Sequence, residues 1–230
     1  NVPLNGAVLV GAGDLIYFTL LNGVQGDVRV YDPAADTVTT IAATEADEQL
    51  CGVLPNGGLV LSRIGANGEH DLFYWKSGIG LVEVASTAMT LDALDKSFAV
   101  AGSANQVVFT GTDGTTTGLW SWSPLDDSLT AISVGAQAAF AAIDAGNEVV
   151  YTVNHGGGDV DALWWDLDDA TTATLRDGTD VTTVLAIAGT NAQRFAILQG
   201  SSDPSSIAAV ALSATPTTQT YAAGGAVEFA

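Results

Sequence analysis

The chain has 230 residues, 26 of them acidic and six basic, for a formal net charge of −20, and 47% are hydrophobic. That is too apolar for a disordered chain, and at this length a core can be buried without covalent staples. The charge makes nucleic acid and anionic lipid poor partners, because too few cations are present to displace counterions from phosphates, and no apolar run reaches the ~20 residues of a membrane helix.

The chain opens on Asn1 without a basic-then-apolar leader and reads as a mature or excised product. The first unit, approximately residues 5–48, begins with the small apolar run Ala7-Val8-Leu9-Val10. Strands at Leu15-Ile16-Tyr17-Phe18 and Val28-Arg29-Val30-Tyr31 then flank Asn22-Gly23, which supplies the positive-φ residues of a hairpin. A Thr- and Val-rich strand from Val38 to Ala42 completes the unit.

The same four elements return in residues 49–96 as Leu50-Cys51-Gly52-Val53, Leu59-Val60-Leu61, Leu72-Phe73-Tyr74-Trp75 and a strand from Leu81 to Ala85. Asn67-Gly68 marks the hairpin, and the stretch from Thr87 to Lys96 has room for one helical turn. Lone Cys51 lies in an apolar run and reads as a buried thiol. In residues 97–137 the elements are Phe98-Ala99-Val100-Ala101, Val107-Val108-Phe109, Leu119-Trp120-Ser121-Trp122 and Leu129 to Val134, with the turn at Asp113-Gly114.

Residues 138–182 give Ala139-Phe140-Ala141-Ala142, Val149-Val150-Tyr151, Leu163-Trp164-Trp165 and Thr172 to Leu175, turning at Asn154-His155-Gly156. Residues 183–230 give Val184-Leu185-Ala186-Ile187, Arg194-Phe195-Ala196, Ile207-Ala208-Ala209-Val210 and Thr218 to Ala222. Aligned on Val28, Leu72, Leu119, Leu163 and Ile207, the units recur at 44, 47, 44 and 44 residues.

Repeats of this length with four short strands each point to a single all-β domain spanning 1–230, a five-bladed β-propeller with four antiparallel strands per blade. Ala and Gly in the first strand of each unit fit the crowding where strands converge on an axis. The residues before Val28 and after Ile207 together make about one repeat, so the ends are expected to meet, Ala226 to Ala230 lying beside the N-terminal strand to close the ring. The third-strand aromatics are expected to bury against the next blade.

The run Val108-Phe109-Thr110-Gly111-Thr112-Asp113-Gly114, continuing to Thr117-Gly118-Leu119-Trp120, resembles bacterial secreted propeller repeats with a Phe-x-Ala/Gly-x-Asp-Gly and Gly-x-Leu-Trp signature. Val30-Tyr31-Asp32-Pro33 and Leu163-Trp164-Trp165-Asp166 are similar to the third strand of TolB-type periplasmic propellers, which tends to read Leu/Ile-Tyr/Trp-x-x-Asp. The resemblance implies a fold and a secreted, cell-surface or periplasmic binding or scaffolding role. These families share no single activity.

Chemistry-bearing groups are sparse apart from carboxylates. His70 and His155 fall in hairpin loops of different units, and no Gly-x-Ser-x-Gly or His-x-x-x-His spacing occurs, so no catalytic residue is assigned. Loops leading from one unit to the next carry Glu45, Asp47 and Glu48; Asp92 and Asp95; and Asp177 and Asp180. Under a TolB-like topology they gather on one axial face, as a ligand site or as solvated loops. Five-bladed propellers also support glycoside hydrolases, which need paired carboxylates.

Asp159, Asp161, Asp166 and Asp168, with Asp169, bracket the fourth unit's tryptophans. They are the weak candidates for Ca2+, the one cofactor the sequence leaves open, although the EF-hand spacing is missing. Asp126 and Asp127 read as an ordinary turn. Loops differ between units, Asn67-Gly68-Glu69-His70 against Asp113-Gly114-Thr115-Thr116, which points to one asymmetric surface rather than five identical sites. The leading reading is a non-enzymatic extracellular binding or assembly module with a protein or glycan partner at an exposed face. A lectin-like carbohydrate-binding propeller is the alternative, and a carboxylate-dependent glycoside hydrolase the third.

Overall fold

The computed structural model describes residues 4–23, 25–54, 56–64, 70–84, 99–100, 106–112, 117–135, 137–143, 148–177, 182–190, 193–200 and 207–221. Among these the chain is all-β: five four-stranded antiparallel sheets, each a meander of consecutive strands. Sheet I is β1 (Leu4–Val10), β2 (Ile16–Asn22), β3 (Gln25–Asp32) and β4 (Thr37–Ala42). Sheet II is β5 (Asp47–Val53), β6 (Leu59–Ile64), β7 (His70–Lys76) and β8 (Gly80–Glu83). Sheet III is β9 (Ala99–Val100), β10 (Val107–Thr112), β11 (Thr117–Ser123) and β12 (Ser128–Val134). Sheet IV is β13 (Gln137–Ile143), β14 (Glu148–Gly156), β15 (Asp159–Asp166) and β16 (Thr172–Arg176). Sheet V is β17 (Thr182–Thr190), β18 (Gln193–Gly200), β19 (Ile207–Ala211) and β20 (Thr218–Tyr221). The helical turn expected within Thr87–Lys96 and the clasp expected from Ala226–Ala230 lie outside the described residues. A 3-10 turn, Ala12–Asp14, is the one helical element among those described.

Among the described residues four apolar layers lie between consecutive sheets, and strict alternation along the second strands feeds them. Leu59 and Leu61 face sheet I with Tyr17 and Val28, while Val60 between them faces sheet III. Val107 and Phe109 face sheet II, and Val108 faces sheet IV. Val149 and Tyr151 face sheet III, and Val150 faces sheet V. Such a strand is apolar on both faces, which is why its sequence reads as a continuous run. Each fully buried Val, Leu or Phe contributes roughly 1.5–3 kcal/mol.

Cross-strand register sets the equivalence of the sheets. Ile16 pairs with Tyr31, Leu59 with Trp75, Val107 with Trp122 and Val149 with Trp165. Five residues after each of those aromatics the chain takes a left-handed conformation: Asp36 (φ 51), Gly80 (φ 90), Asp127 (φ 55) and Ala170 (φ 57). In sheets I and III the aromatic donates to that aspartate, Tyr31 Oη to Asp36 Oδ1 at 3.1 Å and Trp122 Nε1 to Asp127 Oδ1 at 2.8 Å. The sequence alignment on Leu163 is therefore one residue late: buried Ala162, not Leu163, stands where Val28, Leu72 and Leu119 stand.

Two repeated bulges accompany this register. The first strands skip one residue at Cys51, Ala141 and Leu185. The fourth strands skip one at Ile41, Ile132 and Leu175. A bulge raises local twist and turns a side chain out of strict alternation. Ile132 and Leu175 are buried by it. The aromatics of the third strands divide between two directions. Tyr74 and Trp164 join the layer toward the next sheet, as expected, whereas Trp75, Trp122 and Trp165 pack back on the preceding one.

Candidate functional site

The acidic residues singled out from the sequence fall in different surroundings. Glu45, Asp47 and Glu48 lie together on the connection from sheet I to sheet II. Asp47 Oδ1 accepts the Gly26 N–H at 2.7 Å and its other oxygen accepts the Gln49 amide at 3.2 Å. Glu48 is 1% exposed. It accepts the Thr44 N–H at 3.2 Å and the Thr44 hydroxyl, and Arg63 Nε lies 3.3 Å away. The Arg63 guanidinium in turn lies 4.1 Å over the Phe73 ring. Exposed Glu45 contributes its backbone carbonyl to the Gln25 side chain. Asp47 thus ties sheet II to sheet I, and Glu48 fastens the connection between them through Thr44, with at least one bond on each carboxylate oxygen. Asp177 is exposed on the connection from sheet IV to sheet V, and Asp92, Asp95 and Asp180 lie outside the described residues.

Asp159 and Asp161 lie in the first part of β15, Asp166 at its end and Asp168 in the turn beyond, so that at a rise of ~3.3 Å per residue Asp166 is about 23 Å from Asp159 and about 17 Å from Asp161. Asp161 Oδ2 is 3.0 Å from His155 Nε2, and Asp166 Oδ1 caps the turn by accepting the Asp168 N–H at 2.8 Å. Among the described residues no three His, Cys, Asp or Glu come together as a metal site. Cys51 is half-buried, and desolvation pushes its thiol up to about 12.

A cleft of about 180 Å³ opens elsewhere, between sheets III and IV. One position on the third strands sets its wall apart from those of sheets II and IV. The residue preceding the equivalent aromatic is Val30 in sheet I, Tyr74 in sheet II, Ser121 in sheet III and Trp164 in sheet IV. Tyr74 and Trp164 are large and buried, and fill the junction to the next sheet. Tyr74 reaches the Trp122 ring, 5.7 Å between centroids, and lies so close over Gly58 that a Cβ there would enter its ring. Trp164 Nε1 donates to Glu148. Ser121 supplies no such bulk; its hydroxyl donates to Gln106 Oε1, Gln106 holding the position that Gly58 and Glu148 hold in their sheets.

Hydroxyl pairs line the sheet III wall. Ser121 stands opposite Thr130, and Ser123 opposite Ser128, all on the face toward sheet IV. Trp165, Leu167 and Ala170 of sheet IV form the other wall. The rim carries Asp126, whose Oδ1 accepts the Ser128 hydroxyl at 2.8 Å and the Ser128 N–H at 3.3 Å. These bonds, with a further one from Ser123, hold its carboxyl below the ordinary 3.8, so it is ionised at neutral pH. Gln106 Nε2 reaches the Leu167 carbonyl at 3.5 Å, bridging the two sheets at the edge of the cleft. Asp126 caps the ordinary turn expected of it, whereas no expectation attached to its hydroxyl neighbours. The signal was present: serine is the one small polar residue in a column that otherwise holds Val30, Tyr74, Trp164 and Ala209.

No protein-family model and no curated protein matches the sequence. Solved structures similar to the chain include a prolyl endopeptidase, at 10% identity and TM-score 0.62 over 97% of this chain and 36% of that one. TolB from Agrobacterium tumefaciens is similar at 13% identity and TM-score 0.54 over 76% and 65%, and TolB from Acinetobacter baumannii at 10% and 0.52 over 86% and 52%. The chain therefore spans about a third to just under two thirds of the lengths it matches. The arrangement of the sheets is a TolB-like β-propeller fold.

Proposed function

We propose that the chain is a five-bladed propeller whose ends meet to close the ring, and that it serves outside the cytoplasm as a binding module with one asymmetric site rather than as a catalyst. The observation that carries this reading is the cleft between sheets III and IV. Its walls depend on Ser121, whose counterparts in sheets II and IV are bulky, so the same opening does not recur there. The carboxylates best placed for chemistry support the same view, because Asp47 and Glu48 spend their oxygens on Gly26, Thr44, Gln49 and Arg63. The likeness to TolB-type repeats and the excess of acidic residues favour a secreted, cell-surface or periplasmic setting with a protein or glycan partner.

The test is to immobilise the whole chain and probe it with arrayed glycans and a panel of purified extracellular proteins. Saturable binding of a ligand with one site per chain, and recovery of that ligand chemically unchanged, is the expected result. A stoichiometry near five, turnover of the bound ligand, or binding to nothing on either array would overturn the reading.

A further inference from the structure

We propose that the cleft between sheets III and IV binds a single neutral sugar ring, such as the end of a glycan, with Trp165 as the stacking face and Asp126 as the anchoring acceptor. This rests on the reading of the chain as a binding module and names the ligand of that site.

The size comes first. A site of about 180 Å³ is smaller than the roughly 300–1,000 Å³ that encloses a drug-sized ligand, and takes one ring rather than a folded peptide or a nucleotide. Its chemistry comes next. Ser121 and Ser128 donate their protons within the wall, to Gln106 and Asp126, and so present hydroxyl oxygens that accept, while the Thr130 hydroxyl can donate or accept; this matches a ligand whose own polar groups are hydroxyls. Trp165 lines the cleft, and the negative π face of an indole attracts the weakly positive C–H face of a sugar.

Other ligand classes fit less well. An anion is opposed by the carboxylate of Asp126 and by a net charge of −20. Calcium takes six to eight oxygens, commonly several carboxylates, and Asp126 is the sole carboxylate lining the cleft. A guanidinium seeks a carboxylate with both oxygens open for a two-pronged bond, whereas Asp126 Oδ1 already accepts twice from Ser128. That arrangement instead pre-orients the carboxylate to accept from a ligand hydroxyl, and a bond to an ionised acceptor is about twice as strong as a neutral one.

The experiment follows the five tryptophan indole N–H signals by NMR. The whole chain is titrated with the methyl glycosides of glucose, galactose and mannose, with N-acetylglucosamine, and with arginine amide as a cationic competitor. At least one sugar is expected to shift the Trp165 signal saturably, with a Kd near millimolar for a single ring. Asp126→Asn, at an exposed turn, should weaken that binding about ten-fold, the loss of one charge-assisted bond. Ser121→Trp should abolish it by filling the cleft, with Gln106 accepting the new indole N–H as Glu148 accepts that of Trp164. Asp36→Asn, at the left-handed position of sheet I where Asn is well tolerated, should leave binding unchanged.

The proposal falls if no sugar moves the Trp165 signal at about 50 mM, ample for a millimolar site. It falls equally if Asp126→Asn binds as the parent does, or if arginine amide binds more tightly than every sugar. Should a ligand from the arrays bind one-to-one yet ignore both Asp126→Asn and Ser121→Trp, the sugar assignment is lost while the binding-module reading stands.

Discussion

Burial fixes the chemistry of individual groups more firmly than their identity does. Cys51 is the clearest case, since its thiol is pushed from 9.0 to about 12 by desolvation, against a smaller opposing backbone bond involving Ser62. A raised folded pKa means the folded state keeps its proton longer than the unfolded one. Its contribution to stability is therefore complete below about 9 and is lost as pH climbs through about 12. Native protein at pH 8 should thus leave Cys51 unreacted with a disulfide reagent over hours and give one equivalent of thiol on denaturation; prompt native labelling would show the site to be open. Asp126 has the opposite sign. Its pKa is lowered, so its share of sugar binding should be constant above the ordinary 3.8 and disappear as pH falls below it.

Polar ties between sheets define what each connecting element does. Asp47 to Gly26 and the Thr19 hydroxyl, which accepts the Leu50 N–H at 2.9 Å, join sheets I and II. Arg194 to Glu148, at 3.5 Å, joins sheets IV and V. Glu48 stabilises the first junction from within, and breaking a buried pair leaves its partner uncompensated at a cost of about 3–5 kcal/mol. Arg63 is 23% exposed and keeps its stacking on Phe73, so Glu48→Gln should cost about 3 kcal/mol in urea unfolding with an unchanged m-value. Glu45→Gln, at an exposed site, should change stability by less than about 0.5 kcal/mol; equal effects of the two would contradict the burial contrast. The sequence made these residues visible but not their partners, because nothing in an acidic loop tells whether its carboxylates meet water or a backbone N–H. It also misplaced the fourth repeat by one residue. Two adjacent tryptophans satisfy either face of a strand, and Ala162 gives a weaker apolar mark than Leu163 beside it.

At the scale of the whole molecule the repeat was legible because period, hairpin turns and two-faced second strands all carry apolar signatures. The bulges were not, since a skipped residue such as Cys51 or Ile132 looks like any other strand residue. The two ends of β15 also separate the aspartates that cluster in sequence, so chelation should not matter to folding. Melting in EDTA is expected to match melting without it, and a fall in Tm, restored by Ca2+, would reveal a bound ion. The four apolar layers have one last implication. Since each junction is sealed by its own few side chains, Tyr74 and Trp164 act as plugs in sockets of common design, and the chain can gain or lose a socket by one substitution while neighbouring junctions keep it folded. Architecture of this kind lets recognition drift at one junction without renegotiating the fold, and makes Tyr74→Ser with Gly58→Gln the natural starting point for engineering a second opening.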